Sequence, residues 1–386
     1  MSNPITISSI SSISALGFND DEIWSNYCKD NHVLSELALA GKSIMVSKLS
    51  EELELKVSEL KENNYKYRNL DRTVLLGILV ARKAMEKAKW DVSSSLGINV
   101  GSSRGATELF ERYYIKFLEN NRAEVLTSPT TTLGNISSWI AHDLNSKGLT
   151  ISHSITCSTA LHALLNGVAW LRSGMAKKFI IGGVEAPLTP FTIEQMHALK
   201  IYSSKGHLNY PCRSMDLEKT DNTMVLGEAA GVACLQKGIT KNSLAIIEGV
   251  GYATEQLVHG TSLSANAHCI QESMRMALEN IDKSKVDCIV MHAPGTIKGD
   301  MAEYKAIKAV FGEAPPAVTS NKWQVGHTFG ASGILSLEMA VMMIQRQKFC
   351  KIPYLKYDSE PKVIKRVLIN AVGFGGNAVS VLLKAI

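Results

Sequence analysis

Short apolar strands that run straight into glycine-bearing turns recur along this chain, and no other feature restricts its fold as much. INV (98–100) leads into GSSRG (101–105), KFIIGG spans 178–183, and CIVMHAPG spans 288–295. Helix-like segments separate them. The strongest early one covers 71–90, where Val74, Ile78, Ala81, Met85 and Ala88 share one face and Asp71 stands at the N-cap position. Residues 5–15 (ITISSISSISA) alternate as a strand would, and FNDDEIW from Phe18 reads as a helix start with an acidic first turn. Apolar strands alternating with amphipathic helices predict an α/β protein with largely parallel sheets covered by helices.

Two segments have a common plan. SITCSTALHALLNGVAWL (154–171) is a strand-like approach, a turn of small residues carrying Cys157, then an apolar helix. SNKWQVGHTFGASGILSLEMAVMMI (320–344) is a glycine-punctuated turn carrying His327, then a helix with Leu335, Met339 and Met342 on one side. Cys157 and His327 lie 170 positions apart in a chain of 386, close to half of it. A chain this long suits two to three average domains or one assembly built on a duplicated unit, and the paired segments favour duplication. The dividing line falls near QKGITKNS (236–243), and no low-complexity segment or long linker separates the halves, which should pack as one body.

Composition excludes several function classes. Apolar residues at 45% and charged residues at 20% are ordinary for a folded protein and exclude a disordered regulator. The net charge of +5 is too weak for a nucleic-acid surface, although it suits an acidic partner docking on one face. No apolar stretch approaches the ~18 residues of a membrane span, and MSNPITISSI lacks the charged start and apolar core of a signal peptide. The seven cysteines are scattered without a C-x-x-C, which argues against a disulfide framework or zinc knuckle and favours a reducing cytosol.

Cys157 is the leading nucleophile candidate. It sits where a helix begins, so helix-terminal amides and the macrodipole would stabilise its thiolate, and Ser158, Thr159 and Ala160 leave room for a substrate. A cysteine is otherwise a small buried hydrophobe. His292 (MHAPGT) and His327 (GHTFGASG) each lie by a glycine-containing turn, where a neutral imidazole can donate to a developing oxyanion or move a proton. Asp300 and Glu303 fall on one side of a helix start, with the segment from Met301 helical. Taken alone they read as an acidic first turn complementing the helix dipole, and Lys322 reads as a solvated lysine. NAVGFGGNAVSVLL (370–383) predicts a hairpin whose glycine turn, bearing Phe374, would face backbone amides toward a substrate. No P-loop, H-E-x-x-H, G-x-S-x-G or metal-ligand spacing is present.

In order, T-C-S-T-A, H-A-P-G-T followed by G-D-x-x-E, K-x-x-x-x-G-H-x-x-G-A-S-G and N-A-V-G-F-G-G closely resemble the β-ketoacyl-acyl-carrier-protein synthases, specifically the elongating condensing enzymes with a Cys-His-His site. The resemblance covers essentially the whole chain. It implies the thiolase fold, two similar α/β halves (1–240 with the nucleophile, 241–386 with both histidines) in five αβαβα layers, forming a homodimer or pairing with a second ketosynthase-like subunit. It implies that Cys157 takes the acyl chain from acyl-carrier protein, that His292 and His327 assist malonyl decarboxylation, and that the amides of Cys157 and Phe374 form an oxyanion hole with Phe374 as a gate. Lys322, Glu303 and Asp300 would be the supporting charged network. No cofactor or metal is implied, because the substrates ride on the carrier's phosphopantetheine arm.

This chain departs from the family pattern in three places. His292-Ala293-Pro294-Gly295-Thr296 replaces H-G-T-G-T, Asn377-Ala378 follows GFGG in place of T-N, and 211–231 carries extra residues and lacks the usual arginine-aspartate-glycine. The departures fit a specialised branch, such as type II polyketide or aryl-polyene synthesis, as readily as fatty-acid synthesis. A non-decarboxylating thiolase would carry a second active cysteine in the C-terminal glycine turn, whereas Cys350 lies in a Met-rich, helix-like context. A starter-type enzyme would place Asn at 327. A chain-length-factor-like partner subunit, which shapes a pocket without condensing anything, would lose the nucleophile that Cys157 retains.

Overall fold

The structure is a computed structural model that describes residues 3–39, 41–91, 96–204, 209–256 and 263–386. Its strands are β1 (Ile5–Ser14), β2 (Ser35–Leu39), β3 (Lys42–Val46), β4 (Gly97–Gly101), β5 (Thr150–Ile151), β6 (Lys178–Glu185), β7 (Ala229–Lys237), β8 (Ala245–Thr254), β9 (Cys288–Val290), β10 (Ala317–Thr319), β11 (Arg366–Gly373) and β12 (Asn377–Lys384). β2 and β3 form a separate hairpin. The other ten join in the order β10-β9-β11-β12-β8-β1-β7-β6-β4-β5.

That order is self-similar. The set β1, β4, β5, β6, β7 and the set β8, β9, β10, β11, β12 each lie in the spatial sequence third, second, fourth, fifth, first. In both, the fifth strand is antiparallel to the first and the fourth, and the second is parallel to the third and the fourth. The halves meet edge to edge where β1 pairs antiparallel with β8, from Ile5↔Ile247 to Ile7↔Ala245.

Three apolar cores separate five layers. On one outer face the helix Arg72–Ala88 lays Leu75, Ile78 and Val80 into a core with Ile98, Val100, Ile180 and Val232. On the other, His268–Ala277 and Ile297–Phe311 set Met274, Ala306 and Ile307 against Ile289, Leu368 and Leu382. Between the two half-sheets lie Thr159–Ser173 and Ser332–Arg346, whose Leu161, Leu164, Leu337 and Val341 share a core with Phe179, Ile181, Val367 and Val381. Each such aliphatic side chain contributes roughly 2 kcal/mol of burial free energy.

The middle layer explains where periodicity misleads. The helix at 332–346 is buried on every side from Ser332 to Ile344, not along one stripe, because sheets cover it on both flanks. β1 is likewise buried on both faces. Its serines are interior polar contacts: Ser9 Oγ donates to the Ala84 carbonyl (2.7 Å) and Ser12 Oγ to Glu338 Oε2 (2.6 Å). The helix expected at 71–90 runs from Arg72 to Ala88, with Asp71 accepting from the Thr73 amide (2.9 Å) and Lys89 left-handed (φ 54) at its end. The approach to Cys157 is not a strand: β5 ends at Ile151, and Thr156 turns the chain at φ +46. The helix expected from Met301 starts earlier, at Ile297, and Cys350 lies beyond the end of its helix in irregular chain.

Candidate active site

Three chain reversals bring the candidates together. The first is at Thr156, which delivers Cys157 to the approach of the helix Thr159–Ser173, one residue before its Ser158 cap. The second follows β9, where His292 precedes the turn Ala293-Pro294-Gly295 (φ +27 at Ala293, +90 at Gly295). The helix Ile297–Phe311 then begins, its Thr296 hydroxyl accepting from the Gly299 amide (3.3 Å). The third is at Gly326 (φ +69), where the backbone of His327 locks onto 225–227: its amide donates to the Val225 carbonyl (2.7 Å) and its carbonyl accepts from the Gly227 amide (3.1 Å).

The three side chains meet. His327 Nε2 stands 3.1 Å from Cys157 Sγ, and the His292 and His327 rings lie edge to face with centroids 5.1 Å apart. One sulfur and two imidazole nitrogens lie within 4.8 Å of one another, the trio among the described residues that is close enough to ligate a metal ion. Such closeness equally suits a thiol exchanging a proton with one imidazole while a second shares an oxyanion. All three residues are buried. Phe374 stands at the rim, partly exposed, in the three-residue turn between β11 and β12. Its carbonyl accepts from Thr156 Oγ1 (3.3 Å). A Cβ at Gly373 would lie 1.8 Å from Thr156 Oγ1 and 3.0 Å from the Cys157 nitrogen, so the hairpin presses directly on the nucleophile's backbone.

Asp300 and Glu303 do not form a solvated acidic turn. Both are fully buried and reach back along the chain. Glu303 accepts from the His292 and Ala293 amides (2.9 and 2.8 Å) and from Asn370 Nδ2 (3.3 Å). Asp300 accepts from the Gly295 amide (3.0 Å), the Met215 amide (2.8 Å) and Lys219 Nζ (2.8 Å). Lys322 is not solvated either: it is 1% exposed, and its ammonium donates to Asn321 Oδ1 (3.2 Å) and Ser336 Oγ (3.5 Å).

Burial sets the electrostatics. It pushes the Cys157 thiol up to about 12, helped by the Glu185 carboxylate and opposed by Lys322. The resting nucleophile is therefore a thiol, and the helix terminus does not by itself produce the thiolate expected from position. Burial and the Lys322 charge lower His327 to about 3. Burial, then the neighbouring His327 and Lys322, drive His292 well below its usual value. Both imidazoles are neutral at physiological pH. Desolvation lowers Lys322 to about 8 while Glu303 holds it up, and raises Glu303 to about 7 against the pull of its backbone donors.

Two residues beyond the sequence candidates belong to this neighbourhood. Glu185, at the end of β6, accepts from Ser102 Oγ (2.8 Å) and the amides of Ser103 (2.7 Å), Arg104 (3.1 Å) and Gly330 (2.9 Å), tying the loop after β4 to the turn after His327. A carboxylate closing a strand that is uncharged from Phe179 to Val184 was the available signal. Lys219, the partner of Asp300, had none, because its carboxylate lies 81 residues further along.

The beta-ketoacyl synthase N-terminal domain matches residues 2–239 and the C-terminal domain residues 244–355. The chain is 25% identical to a 3-oxoacyl-[acyl-carrier-protein] synthase 2 of Staphylococcus aureus, over 98% of each sequence. Two solved structures superpose over the full length of both chains: the ishigamide ketosynthase/chain length factor (TM-score 0.88, 17% identity) and a beta-ketoacyl synthase from Burkholderia phymatum (0.87, 20%). The doubled thiolase-like architecture, and domain matches that together span most of the sequence, lead to one conclusion: this chain belongs to the beta-ketoacyl synthase family.

Proposed function

We propose that the chain is an acyltransferase that condenses an acyl group held on Cys157 with a malonyl group on acyl-carrier protein, losing carbon dioxide. The carrying observation is the buried Cys157–His327–His292 trio beneath the glycine hairpin, with Sγ and Nε2 in contact at 3.1 Å. In the first half-reaction Sγ attacks the carrier's thioester as its proton passes to His327 Nε2, and the phosphopantetheine thiolate leaves and takes up that proton. The amides of Cys157 and Phe374 receive the oxyanion. In the second, the malonyl thioester oxygen accepts hydrogen bonds from His292 and His327, carbon dioxide leaves, and the enolate attacks the Cys157 thioester. The carbon–sulfur bond breaks, the released Sγ thiolate takes up a proton from solvent, and a β-ketoacyl chain two carbons longer remains on the carrier. Lys322, Glu303 and Asp300 support the histidines, and Phe374 gates the site between the half-reactions.

The acyl chain belongs to fatty-acid or type II polyketide/aryl-polyene elongation. Substrates arrive on acyl-carrier protein, and we assign no resident cofactor. We read 1–240 and 241–386 as the two units. The helix Thr107–Asn120 exposes Phe110, Tyr114, Ile115 and Leu118, a face that supports a second chain, a like subunit in the first instance or a ketosynthase-like partner in its place. Among the described residues no helix is long and apolar enough to cross a membrane, and we place the protein in the cytoplasm. The complete trio speaks against a non-condensing chain-length subunit. The test is mass spectrometry of the protein with acyl-carrier proteins of graded chain length, followed by malonyl-carrier protein. We expect a thioester on Cys157 and then a lengthened β-ketoacyl carrier. A folded sample that neither acylates nor decarboxylates would sink the reading.

A further inference from the structure

The unusual 211–231 segment and the unusual His292-Ala293-Pro294-Gly295-Thr296 turn are packed against each other. Ser214 Oγ donates to the Ala293 carbonyl (2.6 Å). The Thr223 amide and hydroxyl both donate to the Gly295 carbonyl (2.9 Å each), and Thr223 Oγ1 also accepts from the Arg213 amide (3.0 Å). Asn222 Oδ1 accepts from the Ile297 amide (2.9 Å). Asp300 joins the two segments, one oxygen taking the Gly295 amide and the other the Met215 amide and Lys219 Nζ. The ion pair is sealed, with side chains 3% and 0% exposed, and Lys219 Nζ also donates to the Asp216 carbonyl (2.9 Å).

This turn needs to be held. Ala293 sits at φ +27, a conformation that an L residue keeps only where its surroundings over-determine it. A buried carboxylate binding two backbone amides can do so only if its charge is compensated, since an isolated charge in the interior is very costly. Lys219 is the cation that faces Asp300 at hydrogen-bond distance. We propose that Lys219 is a positioning residue for decarboxylation: paired with Asp300, it clamps 213–223 onto the 293–295 turn and so fixes where the His292 imidazole stands. Lys219 touches neither His292 nor Cys157 and acts through Asp300 and the Gly295 amide. Its selectivity follows from geometry, because Asp300 and Lys219 bind 215–219 and the Gly295 amide of the His292 turn, whereas His327 is held further along the same segment by the Val225 carbonyl and the Gly227 amide, which neither residue touches. The inference rests on the condensing reaction proposed above.

The experiment compares wild type, Lys219→Met and Lys219→Arg in two assays that need no knowledge of the acyl chain. One is carbon dioxide release from malonyl-carrier protein, and the other is alkylation of the Cys157 peptide by iodoacetamide, followed by mass spectrometry. In Lys219→Met the kcat of decarboxylation should fall ~100-fold, the loss expected from ångström-scale misplacement of a catalytic group, while KM and Cys157 alkylation stay within about twofold. Lys219→Arg, which keeps the cation, should recover most of the rate. Unchanged decarboxylation in folded Lys219→Met overturns the proposal. So does a parallel loss of decarboxylation and a change in Cys157 alkylation, which general loosening would cause. Should Lys219→Met not fold, Lys219→Gln, which keeps a hydrogen-bond donor without the charge, carries the same test: a slow enzyme with unchanged Cys157 alkylation supports the clamp and a wild-type rate overturns it. A wild type that does not decarboxylate at all overturns the functional reading and this inference with it, whereas an active wild type beside an unaffected variant removes only the inference.

Discussion

Cys157 Sγ stands 3.1 Å from His327 Nε2 across 170 residues of sequence, and each residue is delivered by a positive-φ reversal, at Thr156 and at Gly326. The contact joins the two repeated segments, one from each half of the duplicated fold. With the thiol raised to about 12 and the imidazole lowered to about 3, the resting pair is neutral. Its chemistry is then proton transfer during attack and not a standing thiolate–imidazolium pair.

The two half-reactions should therefore separate by mutation. Cys157→Ser is expected to abolish acyl transfer while retaining measurable malonyl decarboxylation. His327→Ala should lose decarboxylation by ~1000-fold or more, as both oxyanion donor and proton donor, and acylation by less, ~100-fold, as a proton acceptor alone. Mass spectrometry of the acyl-enzyme and carbon dioxide release measure the two. Equal losses in His327→Ala would contradict this division.

The pH profile should report Lys322 and Glu303, not the histidines. Its ammonium is charged below about 8 and neutral above it, so its support for an enolate is lost as pH rises through that value. His327 at about 3 and His292, also strongly lowered, stay neutral down to acid pH and add no limb near pH 6. Decarboxylation should decline above about 8 as Lys322 loses its proton, and fall below about 7 as Glu303, which holds the His292 turn, gains one. Lys322→Met should be slow and lack the alkaline decline, and an unchanged alkaline limb in the variant would refute the assignment.

Gly373→Ala should disable acylation without unfolding the protein. Its Cβ would fall 1.8 Å from Thr156 Oγ1 and 3.0 Å from the Cys157 nitrogen, pushing apart the two amides proposed for the oxyanion. A loss of ~100-fold or more in Cys157 acylation is expected, in line with removal of an oxyanion donor. Thermal melting read alongside separates this from a folding defect, and an acylation rate near wild type would show that the turn does not set the oxyanion geometry.

Glu338→Gln tests the cost of the middle layer. The Glu338 carboxyl is fully buried with Oε1 unpartnered, and burial raises it from 4.5 to about 7. Below 4.5 both folded and unfolded states are protonated. As pH rises toward 7 only the unfolded state ionises, so wild type loses stability there and the glutamine variant does not. The stability of the variant relative to wild type should climb over that window by on the order of 3 kcal/mol. Denaturant unfolding at pH 4.5 and pH 7.5 measures it, and a flat difference would argue against a protonated Glu338.

What was legible in the sequence was local. The strand-and-glycine pattern located β4, β6 and β9, the helix ending at Ala88 was readable from its N-cap and apolar face, and the terminal hairpin from its glycines. Cys157, His292 and His327 stood out because each combines a reactive side chain with a turn. Asp300, Glu303 and Lys322 read as surface residues because sequence spacing does not reveal that Met215 and Lys219, the 292–295 turn, Asn370 and Ser336 are folded onto them. Glu185 and Lys219 escaped notice because their partners are backbone amides and a carboxylate far along the chain.

The sequence by itself determined which segments form strands and helices, that they repeat, and which side chains are chemically able to act. Only the tertiary structure decided that 332–344 of the middle helix and β1 have no solvent face, that three distant turns converge, and which protonation states the site holds. The physical reason is that propensity and capping act over a few residues, whereas burial and pairing depend on what the other half of the molecule places alongside. Desolvation in the closed middle of five layers turns an ordinary thiol, two imidazoles and a lysine into a neutral pair, a neutral donor and a cation that titrates near 8.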